Sequence, residues 1–187
     1  MVAADGGAAT ALAFGMPPDV VVGDLDSIRA PVLADLKRRG VPVETHPRDK
    51  NATDGQLAIE RALLVQPASL WLLGFLGGPR LDQALAHVFF LARLGVRVVM
   101  LDERNECTVV LPGAELTWPT EPGEVVSLIP LAGEVTGVRT HGLRWPLNAE
   151  RLQMGDTRGV SNEPNANEAR ISIERGLLLV TRYFPDP

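Results

Sequence analysis

The segment VVVGDLDS, residues 20–27, places three valines in a row, then a glycine, before two aspartates. A short run of β-branched residues is typical of a strand, and Pro17 and Pro18 mark the point where that strand begins. The following apolar runs alternate with helical patterns, as in strands that are joined by crossover helices in a parallel sheet. The segment therefore predicts an α/β fold in which carboxylates follow the end of a strand.

Capping and stop signals define the other elements of the first half. The sequence Thr53-Asp54-Gly55-Gln56 matches a capping box, which predicts a helix that starts there and runs to residue 65. Gly40 and Gly95 each follow a helical pattern and predict its end. We expect further helices at residues 31–39 and 81–92, and further strands at residues 41–46, 71–75, 96–101 and 108–111.

The second half of the chain has a different pattern. After Pro112, short alternating segments are separated by Gly, Pro and Asn, and no amphipathic helix is evident. We therefore expect an all-β region that begins near residues 111–115. Alternating apolar residues at 169–173, the turn Arg175-Gly176 and the apolar run at 177–183 predict a hairpin near the end of the chain.

The composition excludes several classes of protein. The chain has 187 residues and a mean hydropathy of +0.08, which is typical of a globular protein. A formal charge of −5 disfavours a nucleic-acid groove, and the apolar runs are far shorter than the roughly 20 residues of a membrane span. The start of the chain has no signal-peptide pattern, so we expect a cytoplasmic protein. A single cysteine, Cys107, excludes an internal disulfide.

Asp24 and Asp26 are the strongest candidates for chemistry. If extended backbone continues through them, their carboxylates lie on one face, about 6–7 Å apart. Two such charges repel by about 2.5 kcal/mol at an effective dielectric constant of roughly 20. A hard divalent cation offsets this repulsion, and Mg²⁺ is commonly held by one or two carboxylates and substrate phosphates. The alternative is that Asp26 or Ser27 caps the next helix.

Three other aspartates, Asp5, Asp54 and Asp82, also follow predicted strands. Ligands bind beyond the carboxyl ends of parallel strands, so these side chains are expected to converge there. The alternative for Asp82 is a favourable interaction with the dipole of its own helix. Gly77-Gly78 and Arg80 either present donors to a phosphate or form only a turn.

Motifs of other enzyme classes do not occur in the sequence. A P-loop, a serine elbow and a paired-histidine zinc motif are all absent from it. His46, His87 and His141 are isolated, and His87 is expected on a helix face. Cys107 has no activating neighbour in the sequence and is interpreted as a packing residue.

Seven segments, in this order, resemble the thiamine pyrophosphokinase family. They are AADGGA (3–8), PDVVVGDLDSI (18–28), DKNATDGQLAI (49–59), GGPRLDQALAH (77–87), VSLIPL (126–131), HGLRWPL (141–147) and RGVSNE (158–163). The resemblance implies a doubly wound, mostly parallel α/β domain at residues 1–112 that binds ATP and Mg²⁺. It also implies a β-sandwich at residues 113–187 that binds thiamine, and a homodimer that holds thiamine between its subunits.

The resemblance also implies an activity and residue roles. Family members transfer the pyrophosphoryl group of ATP to the hydroxyl of thiamine and release AMP. The residues implied in Mg²⁺ binding and catalysis are Asp24, Asp26 and Asp54. The residues implied at the ATP site are Asp5, Thr53, Arg80 and Asp82. The residues implied at the thiamine site are Trp145, which stacks on the ligand, with Ser161 and Asn162.

The chain departs from the family pattern at several positions. Asn51 stands where Asp is frequent, Gln83 stands where His is common, and Pro79 is inserted before Arg80. Family members usually carry a strand and a helix before the AADGG segment. Two alternatives follow: either the start of the chain is misassigned, or this edge of the sheet and part of the ATP site are missing.

Two other functions are weighed against the kinase. One is a relative that keeps the thiamine site and binds ligand without turnover. The other is a phosphohydrolase in which an aspartate of the Asp24-Leu25-Asp26 segment is the nucleophile. The second fits less well, because such enzymes usually need a downstream lysine and none follows Lys50. For Trp145, the alternative to a thiamine contact is a core aromatic residue of the β region.

Overall fold

A computed structural model describes residues 1–185 of the chain, which forms two compact units, Met1–Ala68 and Ser69–Pro187. The elements of the first unit are β1 (Val2–Ala4), α1 (Gly7–Ala13), β2 (Val20–Gly23), α2 (Ala30–Arg38), β3 (Val43–Thr45) and α3 (Asp54–Leu63). Their order confirms the alternation of strands and helices that the sequence predicts.

The first unit is built on a three-stranded parallel sheet in the order β1-β2-β3. The three valines of β2 are all buried, because the strand is central and covered on both faces. Its Val21 packs in a core with Ala8 of α1 and Leu36 of α2. Since the three strands run in the same direction, the turns that follow them lie at one edge of the sheet.

The second unit contains one helix and nine strands within the described residues. Its elements are β4 (Ser69–Leu73), α4 (Leu81–Leu91), β5 (Arg97–Leu101), β6 (Asn105–Val110), β7 (Glu115–Pro119), β8 (Val125–Pro130), β9 (Glu134–His141), β10 (Asn148–Gln153), β11 (Glu168–Ser172) and β12 (Leu178–Tyr183). The absence of a helix between residues 92 and 185 confirms the predicted all-β second half.

Two sheets form the second unit. The five-stranded sheet has the order β4-β5-β6-β12-β8, with β4 and β5 parallel and the other pairs antiparallel. The four-stranded sheet has the order β10-β9-β11-β7 and is antiparallel throughout. Inward-facing residues of both sheets share one core, for example Val126 and Val180 with Val138 and Ile171. The fold is thus an α/β region followed by a β-sandwich, as expected.

A buried ion pair lies inside the sandwich. The carboxylate of Glu124, which is only 1% exposed, accepts hydrogen bonds from Arg182 Nε at 2.6 Å and from Trp118 Nε1 at 3.0 Å. Its second oxygen accepts one from the backbone of Glu121 at 3.1 Å. A charge withdrawn from water is tolerated only when it is paired and hydrogen-bonded in this way.

The predicted hairpin at the end of the chain is wrong. The strand β11 pairs with β7 and β9, whereas β12 pairs with β6 and β8 in the other sheet. The Arg175-Gly176 turn therefore carries the chain from one sheet to the other. Local alternation could not reveal this, because a hairpin strand and a sandwich strand bury the same pattern of residues.

The expected domain boundary at residue 112 falls inside the second compact unit, since β6 pairs with β12. The assignment of residues 1–112 to a catalytic part and of residues 113–187 to a thiamine-binding part remains a prediction. None of the helices among residues 1–185 is long and apolar enough to cross a lipid bilayer.

Candidate functional site

Asp5 lies directly after β1, in the turn that leads to α1. Its backbone amide donates to Val22 O at 2.9 Å, and its φ of +41° is rare for a residue with a side chain. The carboxylate is 8% exposed; one oxygen accepts a hydrogen bond from the Ser27 hydroxyl, whereas Oδ1 is buried without a hydrogen-bond partner. An unpartnered buried carboxylate oxygen is costly and points to a cation or a donor supplied from outside.

Ser27 ties this turn to the one after β2. Its hydroxyl donates to Asp5 and accepts a hydrogen bond from the Gly6 amide at 2.8 Å. The helix α2 begins later, with Arg29 at its N-cap position. The interpretation of Asp26 or Ser27 as a helix cap is therefore wrong.

Asp24 and Asp26 come together through a turn. The residue between them, Leu25, has a φ of +67°, so the extended backbone that we expected ends at Gly23 and the predicted 6–7 Å alternation does not apply. The Asp26 amide donates to Asp24 Oδ1 at 3.1 Å. This hydrogen bond, together with the nearby Lys50 ammonium, lowers the pKa of the Asp24 carboxyl below its ordinary value.

Gly23 allows the strand ends to approach each other closely. A Cβ at this position would lie 3.0 Å from Asp5 Cβ and 3.2 Å from Asp54 Oδ1, and its φ of +154° is unusual for other residues. Asp5, which follows β1, and Asp54, at the start of α3, thus both lie close to the end of β2. Only glycine leaves room for both carboxylates there.

Three carboxylates form a compact acidic cluster: one oxygen each from Asp5, Asp24 and Asp26 lies within 4.8 Å of the others. Hard divalent cations such as Mg²⁺ prefer carboxylate oxygens of this kind. The unpartnered Asp5 Oδ1 supports the fit, since a cation there would satisfy it. Sequence reasoning assigned Asp5 to the pocket but not to the metal ligands, and the structure brings its carboxylate within 4.8 Å of those of Asp24 and Asp26.

Asp54 lies in the same region, and its carboxylate forms an ion pair with Lys50. It is the first residue of α3, whose start is capped by the Thr53 hydroxyl accepting from the Gln56 amide at 3.1 Å. The Gln56 side chain donates to Glu60 and not back to Thr53, so half of the predicted capping box is formed. Lys50 Nζ lies 3.0 Å from Asp54 Oδ1 and 3.5 Å from Asp24 Oδ2.

Lys50 is the site residue that sequence reasoning missed. Its side chain is only 14% exposed, and the hydrogen bond to Asp54 raises the pKa of its ammonium group above the ordinary value. The sequence contained a signal for this contact, because Lys50 stands four residues before Asp54 and is one of only two lysines, with Lys37. That spacing matters only once the turn before α3 brings the two side chains together.

Arg80 and Asp82 lie in the second unit, at the start of α4, after two glycines with left-handed backbone. The guanidinium donates to both oxygens of Asp82, at 2.8 and 2.5 Å. It lowers the pKa of the Asp82 carboxyl to about 2. Both side chains are about two-thirds exposed, so the pair is accessible to an anionic ligand that competes for Arg80.

Trp145 lies in the loop after β9 and is 52% exposed, so its interpretation as a core aromatic is wrong. The Arg144 guanidinium lies 4.7 Å from the centroid of the Trp145 ring and pairs with Glu163 at 2.8 Å. The ring already attracts one cation of the chain. It therefore offers the π surface that a cationic aromatic ligand would use.

Asn162 holds the Trp145 backbone at both polar atoms. Its Oδ1 accepts from Trp145 N at 3.1 Å, and its Nδ2 donates to Trp145 O at 2.8 Å. The same oxygen also accepts from Glu163 N, and the residue is 8% exposed. The neighbouring Ser161 is exposed and has a φ of +62°. Of the two, Ser161 has its side chain at the surface, and Asn162 is occupied by the loop.

The remaining isolated residues have the plain roles that we expected. His87 lies on α4 with its ring against Phe75 at a centroid distance of 4.8 Å, and burial lowers its pKa. Cys107 is buried in β6, and burial raises the pKa of its thiol to about 11. Neither residue is prepared for nucleophilic chemistry.

Comparison with known proteins identifies two matching family models. Residues 1–100 match the model described as thiamin pyrophosphokinase, catalytic domain, and residues 114–178 match thiamin pyrophosphokinase, vitamin B1 binding domain. Together they span most of the chain.

Relatives with sequence and structural similarity agree with these matches. A thiamine pyrophosphokinase of Bacillus subtilis is 26% identical over 95% of this chain and 84% of its own length. A crystal structure of thiamine pyrophosphokinase from Bacillus subtilis superposes with a TM-score of 0.88 at 26% identity, covering 99% of this chain and 87% of that one. A crystal structure of thiamin pyrophosphokinase from Geobacillus thermodenitrificans superposes with a TM-score of 0.83 at 28% identity. The superposition covers 99% of this chain and 86% of that one.

Proposed function

This chain belongs to the thiamine pyrophosphokinase family, and on that premise we propose that it transfers the pyrophosphoryl group of ATP to the hydroxyl of thiamine. The products are thiamine diphosphate and AMP. The observation that carries the proposal is the convergence of Asp5, Asp24 and Asp26 at the strand ends, inside the region that matches the catalytic family model. Phosphoryl-group transfer depends mainly on positioning and charge neutralisation, which such a cluster suits.

Asp24, Asp26 and Asp54 are the proposed Mg²⁺ ligands, and the cluster geometry adds Asp5 to them. Bound Mg²⁺ would supply the positive charge that neutralises the phosphate oxygens of ATP. The protein's own part is to hold the carboxylates in place through the Gly23 approach and the Ser27 hydrogen bonds. The cluster thus needs little rearrangement when the cation and nucleotide bind.

Asp5, Thr53, Arg80 and Asp82 are proposed at the ATP site. The Thr53 hydroxyl accepts one hydrogen bond in its capping role and keeps its proton for donation to a phosphate oxygen. Arg80 can exchange its exposed partner Asp82 for a phosphate, since a carboxylate and a phosphate each offer two oxygens that accept from a guanidinium. A guanidinium released in this way stabilises charge on the transferred group.

Trp145 and Ser161 are proposed to contact thiamine, with Asn162 fixing the loop that carries Trp145. Thiamine contains a cationic thiazolium ring, and a cation against an indole face gains about 0.5–2 kcal/mol. The position of Arg144 over the Trp145 ring supports this use of the indole.

A cytoplasmic homodimer that holds thiamine between its subunits is part of the proposal. An apolar stripe on α4 supports an interface: Leu81, Leu85 and Phe89 are 71%, 47% and 48% exposed at successive helical turns. Light scattering after gel filtration measures the mass of the particle and so its oligomeric state. A monomer at micromolar concentration would contradict the dimer.

The activity is tested with purified protein, ATP, Mg²⁺ and thiamine. We expect thiamine diphosphate and AMP in equal amounts, measured by chromatography, and no ADP. Asp24→Asn is the matched inactive control. Folded protein that binds thiamine in a calorimeter without forming AMP would contradict the kinase and favour a binding protein.

A further inference from the structure

The ammonium of Lys50 lies inside the acidic site. It is 3.0 Å from Asp54 on α3 and 3.5 Å from Asp24 after β2, and these are two of the proposed Mg²⁺ ligands. The three side chains are mostly shielded from water, with exposures of 14% for the lysine, 27% for Asp54 and 13% for Asp24. This is unlike the Arg48–Asp26 pair nearby, which is 3.7 Å long and largely exposed.

We propose that Lys50 is a built-in cation that holds Asp24 and Asp54 together before a divalent cation binds, and that it leaves these carboxylates when one does. The inference deepens the proposed function and rests on it. It makes Lys50 a positioning residue of the site, which decides how tightly the carboxylates take up a metal.

Competition for the same oxygens is the physical reason. A divalent cation and an ammonium group that share two carboxylates lie within a few ångströms of each other and repel strongly, since little water separates them. One of them must move. The lysine has a flexible four-carbon stem, so its ammonium can move while the turn that carries it stays in place.

The exchange links metal binding to nucleotide binding. An ammonium that has left the carboxylates is free to pair with an anionic phosphate, which lysine binds as a point charge. Metal and nucleotide then bind more tightly together than separately, and the coupling is reciprocal by thermodynamic linkage. Without the nucleotide, Lys50 competes with the metal and lowers its apparent affinity.

Calorimetric titration with Mg²⁺ alone tests the competition. The proteins compared are the unaltered chain, Lys50→Met and, as the matched control, Lys37→Met. Lys37 is the other lysine and is exposed on α2. We expect Lys50→Met to bind Mg²⁺ about tenfold more tightly than the unaltered chain, and Lys37→Met to bind as the unaltered chain does. Equal or weaker binding by Lys50→Met would overturn the inference.

A second measurement uses the unaltered sequence, in case Lys50→Met does not fold. Reductive methylation with ¹³C-formaldehyde labels the two lysines and the terminal α-amine and keeps their charge, and Lys37→Arg identifies which lysine signal is which. Added Mg²⁺ should shift the Lys50 signal and leave the Lys37 signal in place. A Lys50 signal that does not move at millimolar Mg²⁺ would overturn the inference, whether the metal binds or not. Turnover is assayed separately, so a protein without kinase activity can still show the exchange.

Discussion

The carboxylates of the acidic cluster in the first unit and the buried carboxylate of Glu124 in the sandwich differ in how far their oxygens are hydrogen-bonded. Glu124 has a partner for each oxygen and an arginine as counter-ion, all supplied by its own unit. In the cluster, three carboxylates crowd within 4.8 Å, and Asp5 Oδ1 has no hydrogen-bond partner. A satisfied buried charge serves the fold, whereas an unsatisfied group of charges is prepared for a ligand.

Replacing a cluster carboxylate should remove activity and spare the fold. We expect Asp24→Asn to lower kcat by about 1,000-fold, because several kcal/mol of charge neutralisation are lost with a ligand to the cation. The free energy of unfolding without metal should fall only slightly, because the ion pair with Lys50 is lost while the amide oxygen can still accept from Asp26 N. Steady-state kinetics and urea unfolding measure the two effects. Retained turnover would contradict the metal role.

Replacing the sandwich carboxylate should do the reverse. Glu124→Ala leaves Arg182 buried without its closest counter-ion, and we expect a loss of about 3–5 kcal/mol in the free energy of unfolding. Urea unfolding provides the measurement, and the double variant Glu124→Ala with Arg182→Met is the control. The double variant should recover part of the loss, because the unpaired charge is gone. A single variant as stable as the unaltered chain would show that the ion pair is not needed.

Asn162 tests whether a buried amide in the sandwich acts on ligand binding through its neighbour. We expect Asn162→Ala to raise the KM for thiamine by about tenfold while the KM for ATP stays unchanged, because the Trp145 backbone loses both of its side-chain hydrogen bonds. The chain has three tryptophans, so the part of the fluorescence that Trp145→Phe removes should report a more mobile ring. An unchanged thiamine KM would leave Asn162 with a purely structural role.

Replacing Trp145 itself should have an effect of similar size that is confined to thiamine. Trp145→Ala removes an attraction of about 0.5–2 kcal/mol, so we expect the thiamine KM to rise between about twofold and 30-fold. ATP kinetics should be unaffected, and Trp145→Phe should retain part of the effect. Equal losses for both substrates would contradict stacking on thiamine.

Cys107 should show how stably β6 is held in the five-stranded sheet. Its thiol pKa of about 11 leaves roughly one thiolate in a thousand at pH 8, against about a quarter in an unfolded chain. We therefore expect alkylation by iodoacetamide to be at least about 200-fold slower in the folded protein than in urea, and to accelerate as the pH rises towards 11. Mass spectrometry measures the rate. Fast labelling of folded protein would show that β6 opens readily.

Much of the fold was predictable from local patterns. The run of valines, the Thr53 cap and the stripe of α4 each depend on neighbours in the sequence, and these elements are present within a few residues of the predicted bounds. The destination of β12 was not predictable in this way. Its apolar residues satisfy either sheet, and only the packing of the whole second unit selects one.

In the candidate site, too, some features were predictable from local sequence and others were not. The identities of Asp5, Asp24, Asp26 and Asp54 follow from where carboxylates stand relative to predicted strands, since parallel strands end at one edge. The left-handed Leu25, which brings two of them together, has no local signal. A leucine adopts that backbone only because the surrounding turns hold it there.

The sequence alone determined the kinds of elements, their order, the family and the acidic residues at the strand ends, because each of these depends on residue type and short spacing. The tertiary structure decided which sheet receives the last strand and how the aspartates converge. It also placed the Lys50 ammonium between Asp24 and Asp54. Those features depend on contacts between residues far apart in the chain, and such contacts leave no periodic trace in the sequence.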